Sequence, residues 1–516
     1  MESRAPTHGW KRRSTQRNAP ERHRVALWAF ALNEHTRAAR KDAAEAQTST
    51  RTPPLMASPS NTAGSRSGER PCVENLRGRL LQSVVELLDT NGIPYCILHG
   101  YTEYPARVVS DVDCIMPADF LPWQLATLLR ANRDRLGAAV VQWMQHESTA
   151  HYVVLAADGR GAPWDFLAVD VSSDYRRNGR VFYCGQEILA SRRRDRQFWV
   201  PAPALEFGYY LVKQVAKRSF SEEHGRRLTE LYNQDPTGCD RELTRFWRGD
   251  NVRLIRSLAW SGEWDRVREL LPSLRAELLL PGTVRELWSC VRYWAADGRR
   301  RFRRWRVPTG VHVVLLGADG SGKSTILPAL GEALAPAFRR VTSNHLAPAL
   351  FRGARANLPV TAPHSRPPRS LVGSLAKAAY WVLDYTLGYY VKIRPALARS
   401  TLVLFDRYLV DALVDPRRYR YGGPRWVLHL VWSLIPKPDL VILLDAPTEV
   451  VRARKQEVSP RETERQRHDY RQLVEMLPNG HVVDAAQPLD RVVTAVGTVI
   501  LGFLASRTLG RLGESA

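Results

Sequence analysis

The run Val311-His312-Val313-Val314-Leu315-Leu316, followed at once by Gly317-Ala318-Asp319-Gly320-Ser321-Gly322-Lys323-Ser324-Thr325, constrains this chain more than any other stretch. The first part reads as a strand buried on both faces. The second fits the spacing GxxxxGK[ST], and Ile326 to Leu334 continues as a helix. In that context glycines let backbone N–H groups turn inward around phosphate oxygens, and the helix N-terminus adds a positive dipole end. Gly317, Gly320, Ser321, Gly322, Lys323, Ser324 and Thr325 are therefore candidates for a phosphate cradle. Lys323 is placed to reach the β- and γ-phosphates, and the Ser324 hydroxyl to bind Mg²⁺. A parallel α/β sheet is expected around it.

Three further segments fit such a sheet. Ser400-Thr401-Leu402-Val403-Leu404-Phe405-Asp406-Arg407-Tyr408 ends an apolar strand on a carboxylate, where a second Mg²⁺-side ligand is needed, direct or through water. Pro438-Asp439-Leu440-Val441-Ile442-Leu443-Leu444-Asp445-Ala446-Pro447 is another buried strand, followed by Arg452, Arg454 and Lys455 and by the Arg-rich segment Arg461 to Arg467. His481-Val482-Val483-Asp484-Ala485-Ala486-Gln487-Pro488 reads as a last short strand and turn.

In this order, over roughly 200 residues, the segments resemble the thymidylate kinase family. The matching residues are the loop Gly317 to Thr325, Asp406-Arg407-Tyr408, the strand Pro438 to Pro447, and Val483-Asp484-Ala485. Ile393-Arg394-Pro395-Ala396-Leu397 looks like the family's helix before the Asp-Arg strand. The resemblance implies a P-loop kinase using ATP and Mg²⁺, with Lys323 and Asp406 at the transferring phosphate. It also implies Arg407 on the acceptor phosphate, Asp319 near the acceptor sugar, and a mobile lid with arginines among Arg461, Arg465 and Arg467. The family's Glu-Pro-Gly-Gly-Thr segment is absent. Tyr385 stands where the family has an Arg after the Asp matching Asp384, and Ala412 to Pro416 replaces its thymine-reading Ala-Tyr-Gln. The triphosphate half is intact; the acceptor half is rewritten.

Upstream, Leu80 to Leu88 has helical spacing and ends at Asn91-Gly92. Tyr95 to Leu98, Val112 to Met116, Ala139 to Trp143, Tyr152 to Ala156 and Phe166 to Val171 read as strands, and Leu205 to Lys217 as a helix. Asp111 and Asp113 share one strand face. Asp170, on a neighbouring strand, completes a set of three carboxylates suited to two Mg²⁺ ions. The order Leu98-His99-Gly100, Ser110 to Ile115, Ala168 to Val171 resembles the nucleotidyltransferase superfamily, with Tyr101 where its phosphate-holding Ser stands. Lys213 and Lys217 are spaced to reach a triphosphate.

The expected organisation is a disordered basic tail (1–73), an α+β nucleotidyltransferase-like domain (74–235), a helical connector (236–307), the P-loop domain (308–506) and a short tail (507–516). Met56 just before the first patterned segment raises the expectation that residues 1–55 lie outside the natural protein. The net charge of +23 invites a nucleic-acid reading, but residues 1–70 alone carry 13 Lys and Arg against 6 Asp and Glu. Only nine of the 75 basic residues are Lys, and Arg suits phosphate sites. Nucleotide substrates are thus expected rather than nucleic acid, and a homodimer is left open. Six cysteines without a CxxC pair fit a reducing cytoplasm. No stretch reads as the ~20 apolar residues of a membrane span. The function expected is ATP-dependent phosphoryl transfer to a nucleoside monophosphate or related phosphorylated acceptor. The alternatives are an ATP-binding regulator coupled to the N-terminal domain, and a nucleic-acid-binding protein.

Overall fold

A computed structural model describes residues 76–158, 164–177, 179–279, 284–348, 350, 367–456 and 458–513. The expected basic tail lies outside these residues. Helix α1 (Leu76–Thr90) buries Leu80, Leu81, Val84, Val85, Leu87 and Leu88 at the spacing read from the sequence. Strands β1 (Cys96–Ile97) and β2 (Val112–Ile115) precede helix α2 (Trp123–Ala131), then come β3 (Ala138–Gln145), β4 (Ala150–Asp158) and β5 (Trp164–Ser172). They form one sheet in the order β1-β2-β5-β4-β3, in which only β2 and β5 run parallel. Two hairpins follow, β6 (Asp174–Arg177) with β7 (Arg180–Cys184) and β8 (Arg193–Asp195) with β9 (Phe198–Val200).

Five helices come next: α3 (Pro203–Lys217), α4 (Glu222–Gln234), α5 (Pro236–Phe246), α6 (Gly249–Ser261) and α7 (Val267–Leu279). The stretch expected as a connector is helical, and α5, α6 and α7 share one buried cluster with α3 and α4. Cys239, Trp247, Ile255 and Leu274 pack there with Phe207, Leu211 and Leu228. Helix α8 (Val284–Arg306) then leads to the second sheet.

That sheet is wholly parallel, in the order β11-β12-β10-β13-β14. Its strands are β10 (Val311–Leu316), β11 (Arg340–His345), β12 (Thr401–Asp406), β13 (Leu440–Asp445) and β14 (Gly480–Asp484). Helix α9 (Lys323–Leu334) follows β10, and α10 (Leu371–Gly388), α11 (Val410–Val414), α12 (Arg425–Leu434), α13 (Pro460–Glu475) and α14 (Leu489–Gly513) complete the layers. All four strands read from the sequence are present. The fifth, β11, was not anticipated: it is an edge strand with no buried residue, so it shows no hydrophobic run.

Helix α14 departs from expectation twice. It continues to Gly513, through the segment read as a tail. Leu489–Leu512 is also long and apolar enough to cross a membrane by length and composition. No such stretch was expected from the sequence, although Val492 to Ser506 carries no charge. In the fold this apolar surface has a different use. Val492, Val493, Val496, Ile500 and Leu504 lie between the parallel sheet and Val141, Val154, Ala156 and Phe166 of the N-terminal sheet, in one buried cluster. Thr508 Oγ1 donates to the Val141 carbonyl (3.1 Å), and Gln142 Nε2 to the Thr309 carbonyl (3.1 Å).

Gly497 lets α14 approach the N-terminal sheet, since a Cβ there would lie 2.0 Å from the Trp164 ring. Gly497→Val is expected to lower stability by roughly 1–3 kcal/mol through overpacking. Thermal unfolding checks this, and an unchanged midpoint would contradict the close packing of the two sheets through α14.

Candidate functional site

β10 delivers the loop Gly317 to Gly322 at the C-terminal edge of the parallel sheet, and α9 starts at Lys323. Gly320 has φ +94°, and a Cβ on it would meet the Val451 carbonyl at 2.5 Å, so the loop requires glycine there. Lys323 folds back over the loop, donating to the Gly317 and Ala318 carbonyls (2.8 and 2.9 Å) and to Ser321 Oγ (3.2 Å). Burial, followed by the charge of Arg407, pulls its ammonium down to about 8.

Asp406 ends β12 beside the loop, in register with Leu315 of β10. Burial pushes its carboxyl up, but nearby His345 (3.7 Å) and the charges of Lys323 and Arg407 outweigh it and hold the group below the usual carboxylate range. Its Oδ1 is buried with no hydrogen-bond partner among the described residues. Such an orphaned acceptor fits a hard cation with oxygen ligands; Ser324, the other expected ligand, is exposed on the first turn of α9.

Arg407 is a left-handed residue (φ +70°), an uncommon conformation outside glycine that costs on the order of 1–3 kcal/mol and concentrates at functional sites. Its Nη1 donates to both Asp411 oxygens at 2.8 Å, and its Nη2 pairs with Asp319. Arg418 pairs with the other oxygen of Asp319. Asp411, fully buried on α11, also accepts from Tyr419 Oη (2.5 Å) and from Tyr470 Oη. Arg407 and Asp319, both expected on the acceptor side, are therefore in contact, within a larger network. Asp411, Arg418, Tyr419 and Tyr470 were missed. The four-residue step from Arg407 to Asp411 was the available signal.

The expected lid arginines lie on α13 and occupy different settings. Arg467 spans the two oxygens of Asp445 (2.8 and 3.2 Å) and donates to Thr448 Oγ1 (3.0 Å). Arg465 sits between Glu462 and Asp469 (both 2.5 Å), and Arg461 is exposed. Of the rewritten acceptor half, Tyr385 is buried and donates to the Leu346 carbonyl (2.7 Å).

In the N-terminal sheet, Asp113 on β2 and Asp170 on β5 are register partners. With Asp111 they bring three carboxylates to within 4.8 Å of one another. His99 Nε2 (2.6 Å) and Lys213 Nζ (2.7 Å) contact Asp113, and His146 Nε2 contacts Asp170 (2.7 Å). Burial pushes Asp113 up, but the His99 hydrogen bond and the Lys213 charge hold it well below the usual range. Three oxygen donors suit a hard divalent cation. Tyr101 is buried and donates to Glu206 (2.5 Å), itself paired with Arg227, so at this position the phosphate-holding serine gives way to a packed ring.

A parallel sheet of this order, with a glycine loop closing onto a helix and an acidic strand end beside it, defines a P-loop phosphate-binding domain. Comparison with known proteins narrows the class. The thymidylate kinase family model matches residues 369–496. Thymidylate kinase of Xanthomonas campestris pv. campestris (strain B100) is 29% identical over 217 residues, which cover 39% of this chain and 87% of that protein. Thymidylate kinase of Xanthomonas oryzae pv. oryzae (strain PXO99A) is 29% identical over 218 residues, 39% of this chain and 88% of its own length. A probable thymidylate kinase of Methanospirillum hungatei JF-1 is 34% identical over 148 residues, 27% of this chain and 64% of its own length.

Removing one partner of a buried ion pair leaves the other charge uncompensated. Asp411→Ala is therefore expected to cost about 3–5 kcal/mol, whereas Tyr419→Phe, which removes one hydrogen bond to a charge, costs about 1.5–3 kcal/mol. Urea unfolding of the two variants checks the order; equal small losses would contradict the central place of Asp411.

Proposed function

We propose that the C-terminal half transfers the γ-phosphoryl group of MgATP to a phosphate oxygen of a nucleoside monophosphate or a related phosphorylated acceptor. The bond from the γ-phosphorus to the β,γ-bridging oxygen breaks, a bond to the acceptor's phosphate oxygen forms, and ADP leaves. The observation that carries this reading is Asp319 held between Arg407 and Arg418 beside the P-loop. A carboxylate in that clamp occupies the kind of place an acceptor phosphate takes, because a guanidinium binds either through paired N–H donors. An acceptor phosphate competes with Asp319 for the two arginines. Phosphate oxygens are already anionic near pH 7, so the acceptor needs no general base. It needs cations to bind it and to screen its repulsion from the triphosphate, and Arg407 and Arg418 supply them.

Lys323 would leave the Gly317 and Ala318 carbonyls for the β- and γ-phosphates, while the loop N–H groups hold the remaining oxygens. Ser324 and the orphaned oxygen of Asp406 would hold Mg²⁺, which neutralises charge on the bridging phosphates when bound. Arg461, exposed on α13, would be free to close over the nucleotide, whereas Arg465 and Arg467 are engaged by carboxylates. Relatives named thymidylate kinase support the reaction class, and the departures at Tyr385 and Ala412 to Pro416 leave thymidylate as one acceptor within it.

We further propose that Asp111, Asp113 and Asp170 hold divalent cations for a nucleotidyl-transfer type of chemistry in the N-terminal domain. The geometric support is the three converging carboxylates, with Lys213 adjacent for a phosphate.

Incubation with MgATP and a panel of nucleoside monophosphates and sugar phosphates tests the first reading. Lys323→Ala is expected to reduce transfer ~10²-fold or more, and Arg418→Ala to raise the acceptor KM with ATP affinity little changed. Near-normal turnover in Lys323→Ala would sink the assignment. For the second reading, Mn²⁺ binding followed by electron paramagnetic resonance is expected to fall sharply in Asp111→Asn/Asp113→Asn while ATP-dependent transfer persists. Unaltered Mn²⁺ binding in that variant would refute the metal site, and loss of transfer in a folded protein would refute the separation of the two activities.

A further inference from the structure

A cavity of about 450 Å³ lies where β3, the start of β4, α8 and α14 meet, away from the P-loop. Its polar wall is built from Arg300, Arg303, Arg304 and Arg511 together with Thr149 and His151. No Asp or Glu is among the described residues that line it. The carboxylate of Asp297 pairs with Arg300 and Arg301, and the charges of Glu147 and Asp439 act on Arg300 and Arg511 from outside the wall. Arg303 Nη2 reaches Gln145 Oε1 (3.3 Å), and Arg304 donates to the Gln145 carbonyl.

The hydroxyl of Thr149 is a separate sign of a missing polar partner. Its Oγ1 is buried and has no hydrogen-bond partner among the described residues, and Thr149 belongs to the cavity wall. His151 presents a donor: its Nδ1 accepts from Trp143 Nε1 (3.2 Å), and burial lowers the ring to about 4, so it is neutral with the hydrogen on Nε2. Burial, with neighbouring arginines, also pulls Arg304 down to about 10 and Arg511 to about 9. Arginine resists losing its proton, so such a concentration of half-buried cations is relieved by an anion.

We propose that this junction cavity binds a soluble, multiply charged phosphate compound at a site distinct from the P-loop. Guanidinium pairs recognise phosphate bidentately, hydroxyl and imidazole donors take remaining oxygens, and the side chains of Trp143 and Leu512 offer apolar contact to the rest of the ligand. Because its walls come from the N-terminal sheet, from α8 and from the last helix of the P-loop domain, an occupant cross-links all three. It therefore couples to their packing rather than to the chemistry of the loop.

The test is calorimetric titration of inorganic pyrophosphate into the full chain, with the P-loop already saturated by MgADP. One pyrophosphate per chain is expected, with affinity reduced roughly tenfold or more in Arg511→Gln and unchanged in Lys323→Ala. If Arg511→Gln proves unfolded by circular dichroism, Arg303→Gln, an exposed side chain, reads the same loss. Absence of binding beyond the P-loop overturns the proposal. So does a loss confined to Lys323→Ala, since the signal then belongs to the loop. Vesicles containing phosphatidic acid are titrated in parallel. Binding to them without binding to pyrophosphate also overturns it, since the ligand is then a lipid surface.

Discussion

All six residues of β10 are buried, between β12 and β13 at the centre of a parallel sheet, so both of its faces require cover. On one face Val314 and Leu316 meet Trp381, Tyr385 and Tyr389 around α10, Val431 of α12 and Tyr470 of α13. On the other, Val313 and Leu315 meet Ile326 and Leu330 of α9 and Val496 and Ile500 of α14. Parallel strands buried in this way release their loops at one edge, which is where ligands collect in open α/β sheets. The glycine loop, Asp406 and Arg407 are neighbours because β10 and β12 are neighbours. Helix α14 then has a second apolar side to bury, and the N-terminal sheet supplies the partner.

Hydrophobic runs made β10, β12 and β13 legible, since each is buried almost end to end, whereas β14 buries only Val483 and was legible through Val483-Asp484-Ala485. The loop was legible because its chemistry fixes its residues: backbone must curl around oxygens and a lysine must follow. β11 was not legible, because its pairing with β12 is made by backbone hydrogen bonds that carry no side-chain pattern. The end of α14 was misread for a related reason. Arg507 and Arg511 look like a solvated tail, yet Arg507 donates to the Thr309 and Gly310 carbonyls across the junction (2.9 and 3.0 Å). Long arginine stems lie along apolar surface while their heads find acceptors, so charge alone does not mark exposure.

The acceptor-side network shows where single-sequence reading stops. Asp319 and Arg407 were visible because they sit in motifs, whereas Arg418 and Tyr470 reach the same cluster from 99 and 151 positions beyond Asp319 in the chain. Nothing local distinguishes Arg418 from Arg417, which precedes it. Only the fold selects which arginine of the pair turns toward Asp319.

The two sides of the cleft carry their charges differently, and the difference follows from burial. The P-loop contributes backbone N–H groups and one lysine, so it carries little fixed charge to desolvate when nucleotide is absent. The acceptor side carries two guanidinium groups in a buried setting, and these would be costly without counter-charges. Asp411 compensates Arg407 permanently, locked in place by two tyrosine hydroxyls on a helix. Asp319 sits instead on the glycine-rich loop, with Gly317 and Gly320 on either side, and serves both Arg407 and Arg418. One counter-ion is therefore held by rigid packing and the other by a segment whose backbone is adaptable. Under the proposed phosphoryl transfer, that asymmetry would keep the site charge-balanced when empty and let Asp319 yield to an acceptor phosphate.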